Sequence, residues 1–328
     1  KVLQDFCEKW FPDAKAELAT VFIDRCRDLC QQAGTCALVT PQNWTFLGLY
    51  KDFRLQVLTK QTIHTLCWLG PGAFETISGE VVKPILFISS NATPEEDSRI
   101  IGCDLSDVAG AQQKDRALRL GEFISGRQGD QLRNPDSRLM LEGPSEGKLL
   151  DSYAYSYKGV TTGDDPHYRR QFWEFPTLVD GWRALQTTVK TQTLYGGAEQ
   201  LIWLEAMTNP LQPGVYIRAA STWGKFGVLV SLIGELPCSL SLGVPFDTNV
   251  ALVLPHDASH LAAVWAFCSS PEFNKEVRKL DKKLNVTNAT LVKVPFDLDY
   301  WQAVAAAQYP DGLPAPHSND PTQWLFQG

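Results

Sequence analysis

Two short runs hold residue types that could grip a planar ligand. In Thr40-Pro41-Gln42-Asn43-Trp44, a proline stiffens the chain and Trp44 offers a flat face. In Leu69-Gly70-Pro71-Gly72-Ala73-Phe74-Glu75, the glycines let backbone pass close to a ligand and Phe74 offers a second face. The competing reading is that both rings are core. A third run, 158–173, carries Lys158, Thr161, Thr162, Asp164, His167, Arg169 and Arg170. Side chains with two hydrogen-bonding groups read base edges, while cations hold phosphates. A fourth set, Lys275, Arg278, Lys279, Lys282 and Lys283 against Glu276 and Asp281, falls on a helix expected over 271–284. Residues 275, 279, 282 and 283 share a face of that helix. Either charged run could be no more than a solvated surface.

Other spacings carry less. Pro135-Asp136 followed by Glu146-Gly147-Lys148 spells a loose metal-nuclease pattern, but in a Gly/Pro-rich stretch that supplies no ordered strands. His256 and His260 are four apart, as zinc ligands on a helix can be, yet Pro255 puts His256 at the helix start and no third ligand is close. Cys26 and Cys30 share a helical face and read as core. No metal site is expected, and no P-loop or zinc-ribbon spacing appears.

The elements that must position these residues follow from periodicity. A helix is expected over 14–33, with Leu18, Phe22, Cys26, Leu29, Cys30 and Ala33 as one apolar stripe. A buried strand over 36–40 ends at Pro41. A second helix covers 46–58, with Leu49, Phe53 and Val57 on one side. Strands over 62–69 and 81–89 should pair antiparallel, with Pro84 implying an edge or a bulge. This order is the latter part of an α/β sheet, in which ligands bind beyond the carboxyl ends of strands. The polar stretch after it reads as a linker with one helix near 111–124. A second body begins near 150, with strands expected at 200–205, 214–219, 226–233 and 248–254, then helices at 258–269 and 271–284. The tail, with Pro310, Pro314, Pro316 and Pro321, should be extended.

Composition sets the outer limits. At 328 residues the chain is long enough for about two domains. With 44% hydrophobic and 20% charged residues it can build packed cores. A net charge of −7 excludes a uniformly basic nucleic-acid binder, though not a local basic face. No run of apolar residues is long enough for a membrane-spanning helix. Eight cysteines, mostly in apolar stretches, read as buried thiols. Asn43, Asn91, Asn285 and Asn288 each begin an Asn-x-Ser/Thr pattern, but no targeting segment supports secretion.

The run from Ala14 to Ser89 resembles the post-catalytic half of amino-type, adenine-specific DNA methyltransferases. It is similar to the type IIG restriction–modification proteins and to the methyltransferase of BREX phage-defence systems. The residues that carry this are Phe22-Ile23-Asp24-Arg25, the strand into Thr40-Pro41-Gln42-Asn43-Trp44, and Gly72-Ala73-Phe74-Glu75-Thr76-Ile77-Ser78-Gly79-Glu80-Val81-Val82. From 150 onward the chain is similar to a target-recognition domain and to half of a type I specificity subunit. It is so through Lys158-Gly159, Thr162-Gly163-Asp164-Asp165, Arg169 to Glu174, Tyr195-Gly196-Gly197, Trp223-Gly224-Lys225, Leu284-Asn285-Val286-Thr287-Asn288-Ala289-Thr290 and Asp320-Pro321-Thr322-Gln323-Trp324.

The resemblance implies an α/β and α+β protein. A partial Rossmann-like methyltransferase sheet, its C-terminal half, occupies 1–95. A linker with one helix spans 96–148, a mixed α+β target-recognition domain 149–308, and an extended Pro-rich tail 309–328. It implies methylation of the exocyclic amine of adenine at a specific DNA sequence, in restriction–modification or phage defence, by a cytoplasmic enzyme. The target base would be turned out of the stack into a pocket that includes Pro41, Asn43 and Phe74. DNA contacts would come from Lys158, Thr161, Thr162, Asp164, Arg169, Arg170, Tyr195, Trp223, Lys225, Lys275, Lys279 and Lys282, unless the helix with the last three is a spacer. The methyl donor would be S-adenosylmethionine, bound mainly upstream. The family's Asn/Asp/Ser-Pro-Pro-aromatic tetrapeptide has no counterpart, since the sequence contains no Pro-Pro, so no catalytic residue is assigned. The chain then reads as the part downstream of that motif, inactive alone. Its expected partners are double-stranded DNA and the N-terminal half or another defence-system subunit, and no membrane. The alternative is a non-catalytic DNA-binding specificity module similar to a type I specificity subunit. A coding region upstream of Lys1 with a Gly-rich loop and a Pro-Pro-aromatic motif would decide between them.

Overall fold

Strands β1 (Thr35–Pro41), β2 (Thr62–Trp68) and β3 (Pro84–Ser90) form where apolar or alternating runs end at proline, glycine or polar stops. In the computed structural model they belong to a five-stranded sheet of order β1-β3-β2-β4-β5. The structure describes residues 1–75, 82–141, 143, 147–177, 180–208 and 214–316. The chain divides into two units, Lys1–Ser145 and Glu146–Gly328.

In the first unit β3 lies antiparallel to both β1 and β2, as the sequence suggests for the β2 pair. Pro84 does not put β3 at an edge. It is the first residue of an interior strand, opposite Pro41, where its missing N–H interrupts little of the ladder. The structure also differs over 96–148. β4 (Arg99–Asp104) runs parallel to β2, and β5 (Ile124–Arg127) runs antiparallel to β4, so this stretch extends the sheet. Its strands escape a reading by hydrophobicity because β5 is only four residues long and mostly exposed. The expected helix is α4 (Ala111–Leu120). Alternate residues of β2 face opposite layers. Leu66 and Trp68 join one core with Phe53, Val57 and Phe87, while Cys67 and Leu69 join another with Cys103 and Leu105.

The helices before the sheet are α1 (Val2–Trp10) and α2 (Leu18–Leu29). α2 is shorter than the expected 14–33, and its apolar stripe is not the buried side. Val21, Ile23 and Asp24 face inward, whereas Phe22 is 61% exposed and Leu18 and Leu29 are also open. Leu18 and Phe22 instead line a groove with Leu3, Phe6 and Trp10 of α1. The second expected helix is α3 (Lys51–Lys60), preceded by two 3₁₀ turns.

The second unit holds two antiparallel sheets. One, of order β11-β10-β12-β6, comprises β6 (Ala154–Lys158), β10 (Val228–Ser231), β11 (Cys238–Leu240) and β12 (Val250–Pro255). Every residue of β10 and β12 is buried, which their unbroken apolar runs encode. The other, of order β7-β9-β8, comprises β7 (Arg169–Gln171), β8 (Trp182–Leu185) and β9 (Gln200–Trp203), with the short helices α5 (Asp165–Tyr168) and α6 (Leu204–Met207). Residues 214–219 make only an isolated bridge, Thr161 to Tyr216, not the expected strand. Helices α7 (Leu261–Cys268), α8 (Pro271–Leu280) and α9 (Leu298–Gln308) follow. Phe267 of α7 packs on Phe273 of α8 at 5.3 Å and on Trp301 of α9 at 5.1 Å.

α8 stops before Lys282 and Lys283, so the expected four-lysine helix face does not form. The reason is Asp281. Its buried carboxylate accepts from Lys283 N at 3.1 Å and Thr287 N at 2.9 Å, which turns the chain out of the helix. Of the Pro-rich tail, 317–328 and with it Asp320 to Trp324 lie outside the described residues.

Candidate functional site

Antiparallel pairing on both sides of β3 brings the ends of β1 and β2 to one edge of the sheet. Thr40 and Trp68 both lie opposite Ile85. Beyond them, Gln42 N donates to Lys83 O at 2.9 Å and Leu69 N to Pro84 O at 3.0 Å. β4 ends there too, since Asp104 lies beside Trp68. The segments after β1, β2 and β4 therefore all leave from the carboxyl edge, where ligands of open α/β sheets bind. Pro41 and Asn43 are half-buried within the first of these segments, and Phe74 lies in the second, 41% exposed. Residues 76–81 of the glycine-containing motif lie outside the described residues.

The two candidate rings have different fates. Trp44 is fully buried, edge-on to Phe53 at 5.6 Å and Phe87 at 5.3 Å. Its Nε1 donates to Thr40 Oγ1 at 3.0 Å. Trp44 thus anchors the turn, and Phe74 remains the ring available at the surface.

Two buried cations support this edge, and sequence reading missed both. Arg54, with no exposed surface, donates from Nη1 to Trp44 O and Leu47 O, each at 2.7 Å. Its Nη2 reaches Asp136 O at 2.8 Å and its Nε reaches Ser137 O at 3.2 Å. Lys114 of α4 donates to Leu69 O at 2.5 Å and Leu105 O at 2.6 Å, bridging the chain ends that follow β2 and β4. Burial lowers its pKa, and Asp104 and Asp107 oppose that. The available signal was position: Arg54 shares a helical face with Val57 and Leu58, and Lys114 with Ala117 and Leu118. Gly70 is needed beside them. Its φ is +65°, and a Cβ there would lie 2.5 Å from Ser106 Cα.

In the second unit the expected DNA-contact residues separate by role. Asp164 caps α5, accepting from His167 N at 3.2 Å, and buried Thr162 donates to Asp165. Arg169 lies between Asp165 and Asp247, 3.1 Å from each. Arg170 folds onto Arg169 O at 2.7 Å, with its guanidinium over the Trp182 ring at 6.0 Å. The Tyr195 hydroxyl donates to Pro314 O at 2.7 Å, and burial raises its pKa. Trp223 packs against the core around Tyr168 and Ile202, and Lys279 pairs with Glu276 at 2.8 Å. Lys282 is half-buried beyond α8. Lys158, Lys225 and Lys275 are exposed. Half-buried Thr161 meets Arg218, an arginine the sequence reading did not single out.

No protein-family model matches the chain. An 89-residue stretch is 37% identical to the adenine-specific methyltransferase BrxX of Escherichia coli O9:H4 (strain HS). The similarity is to adenine-specific methyltransferases. A stretch of 88 residues is 35% identical to the adenine-specific methyltransferase PglX of Lacticaseibacillus casei (strain Zhang). Each match takes in 27% of this chain and 7% of the relative, so the chain spans a small part of either protein's length. The type IIL restriction–modification enzyme MmeI, solved in complex with DNA, is alike in fold. The TM-score is 0.53 at 12% identity, over 94% of this chain and 45% of that one. The mixed α/β fold expected from sequence is thus shared with a restriction–modification enzyme. Among the described residues, no helix is long and apolar enough to cross a membrane.

Proposed function

We propose that the chain is part of an S-adenosylmethionine-dependent DNA methyltransferase that modifies the exocyclic amine of adenine in restriction–modification or phage defence, in the cytoplasm. The first unit would be the downstream portion of the catalytic domain and the second the target-recognition domain. The observation that carries this reading is the gathering of the Pro41–Asn43 turn and the Phe74 loop at one carboxyl edge, in a chain similar to adenine-specific methyltransferases.

An adenine paired in a duplex must be turned out before its amine can react. Phe74 would stack on the extruded base, an interaction contributing about 1–3 kcal/mol. Pro41 and Asn43 would line the same pocket. S-adenosylmethionine supplies the methyl group in such a reaction. Two buried polar atoms at this edge, Gln42 Oε1 and Ser106 Oγ, have no hydrogen-bond partner among the described residues. Two isolated oxygens are too few to hold a nucleoside, and the donor is assigned to no residue of this chain.

Exposed Lys158, Lys225 and Lys275 would hold phosphates, while Arg169 would shape the interface through Asp165 and Asp247. The test is a titration of the chain with duplex DNA over a range of salt. Binding should weaken steeply with salt, and Lys158→Ala should make the slope of log affinity against log salt shallower by about 1. Absence of duplex binding at low salt overturns the reading.

A further inference from the structure

Arg218 is held in a way that the neighbouring arginines are not. It follows Tyr216 by two residues in Val215-Tyr216-Ile217-Arg218. The Tyr216 backbone pairs both ways with Thr161, its N–H donating to Thr161 O at 2.8 Å and its O accepting from Thr161 N at 2.9 Å. That pairing fixes the 161 and 216 segments side by side. Arg218 Nη1 then donates to Thr161 Oγ1 at 2.8 Å, and its guanidinium carbon sits 4.6 Å from the centre of the Tyr216 ring. The ring holds the guanidinium from one side and the hydroxyl holds it at one nitrogen.

The contrast with Arg169 and Arg170 is chemical. Arg169 is compensated by two carboxylates, and Arg170 is turned onto the carbonyls of Pro166 and Arg169 and lies 3.8 Å from Glu174. Among the described residues, no carboxylate forms an ion pair with Arg218, and Tyr216 is 54% exposed beside it. A half-buried arginine oriented at one nitrogen and one face keeps its other N–H donors for an outside acceptor. A phosphate contact needs charge but no fixed plane, whereas a guanine offers O6 and N7 at a set spacing to a planar fork.

We infer that Arg218, held by Thr161 and Tyr216, reads a guanine edge in the major groove of the DNA bound by the second unit. This rests on the proposal that this unit binds duplex DNA. The test uses the full chain, a selection of bound duplexes from a randomised pool, and titrations of the selected and an unrelated duplex. The unsubstituted chain should enrich a guanine at one position. Arg218→Ala should lose that preference and bind the selected duplex about fivefold to a hundredfold more weakly, the discrimination expected of a good bidentate pair. Affinity for the unrelated duplex should not change. Arg218→Lys, which keeps the charge and the surface position but not the fork, should lose the same preference and leave the salt slope unchanged. Restoration of selectivity by lysine, or equal weakening on every sequence with a shallower salt slope in Arg218→Ala, would make Arg218 a phosphate contact and overturn the inference. So would unchanged selectivity in both variants. If the unsubstituted chain binds no duplex, the DNA reading of the unit fails and the inference falls with it. DNA binding with unaltered selectivity in the variants removes the inference alone.

Discussion

Arg54 shows how one side chain can hold a surface turn in place. Its guanidinium serves carbonyls from two chain segments, 44–47 and 136–137, and so reinforces the backbone bond beside it, Leu139 N to Thr45 O at 2.9 Å. Arg54→Met should therefore leave several buried acceptors unpaired and cost about 3 kcal/mol of stability, measured as a shift in urea unfolding. Arg169→Ala should lower the unfolding midpoint as well, because Asp247, nearly buried, loses its counter-charge. Lys158→Ala, at an exposed position, should not. The buried thiols give a pH signature. Burial pushes Cys238 from 9.0 up to about 12, and burial with neighbouring Cys67 does the same for Cys103. A thiol whose pKa rises on folding keeps its proton in the native state. Its contribution is whole below 9.0 and is lost as pH climbs toward about 12. Stability of the chain should fall as pH rises from 9.0 toward about 12, and Cys238→Ala should reduce the fall. At this scale residue types were legible and their partners were not. Lys158 and Arg169 look alike in a basic run, and only folding brings Asp247 to one of them.

Elements were legible where they were long and patterned. β1, β2, β3, α3 and the all-buried β10 and β12 lie close to where periodicity places them. Three kinds of element were not. β4 and β5 are short, with backbone pairing rather than apolar content to define them. α2 misled because its exposed groove, not its packed face, holds the regular stripe. α8 ended early because of a carboxylate that acts on residues after it. Gly102 carries much of the β2–β4 contact, since a Cβ there would meet Leu66 O at 1.8 Å. Gly102→Val should break this pairing and abolish cooperative unfolding of the first unit, followed by far-ultraviolet dichroism. A first unit that melts as before would show that the β2–β4 contact tolerates a side chain.

At the scale of the whole chain, the carboxyl-edge position of the Asn43 and Phe74 segments was foreseeable from strand order, whereas their supports were not. The apolar surface of the first unit has a physical cost. Leu3, Phe6, Trp10, Leu18 and Phe22 line a groove of about 470 Å³, and Val39 of edge strand β1 is 59% exposed. Apolar surface of this kind drives association in water. The double variant Trp10→Lys, Phe22→Glu should sediment as a smaller species than the unsubstituted chain, with an unchanged unfolding midpoint.

The interior position of β3 has a consequence for how the polypeptide acquires this shape. β1 and β2 share no ladder with each other, and each is joined to the sheet through a strand that comes later in the chain. While the protein is being made, β1 and β2 lack the strand that joins them until β3 has been synthesised. The exposed apolar segments must wait for Pro84–Ser90 to emerge from the ribosome, a delay in which chaperones and proteases compete with folding.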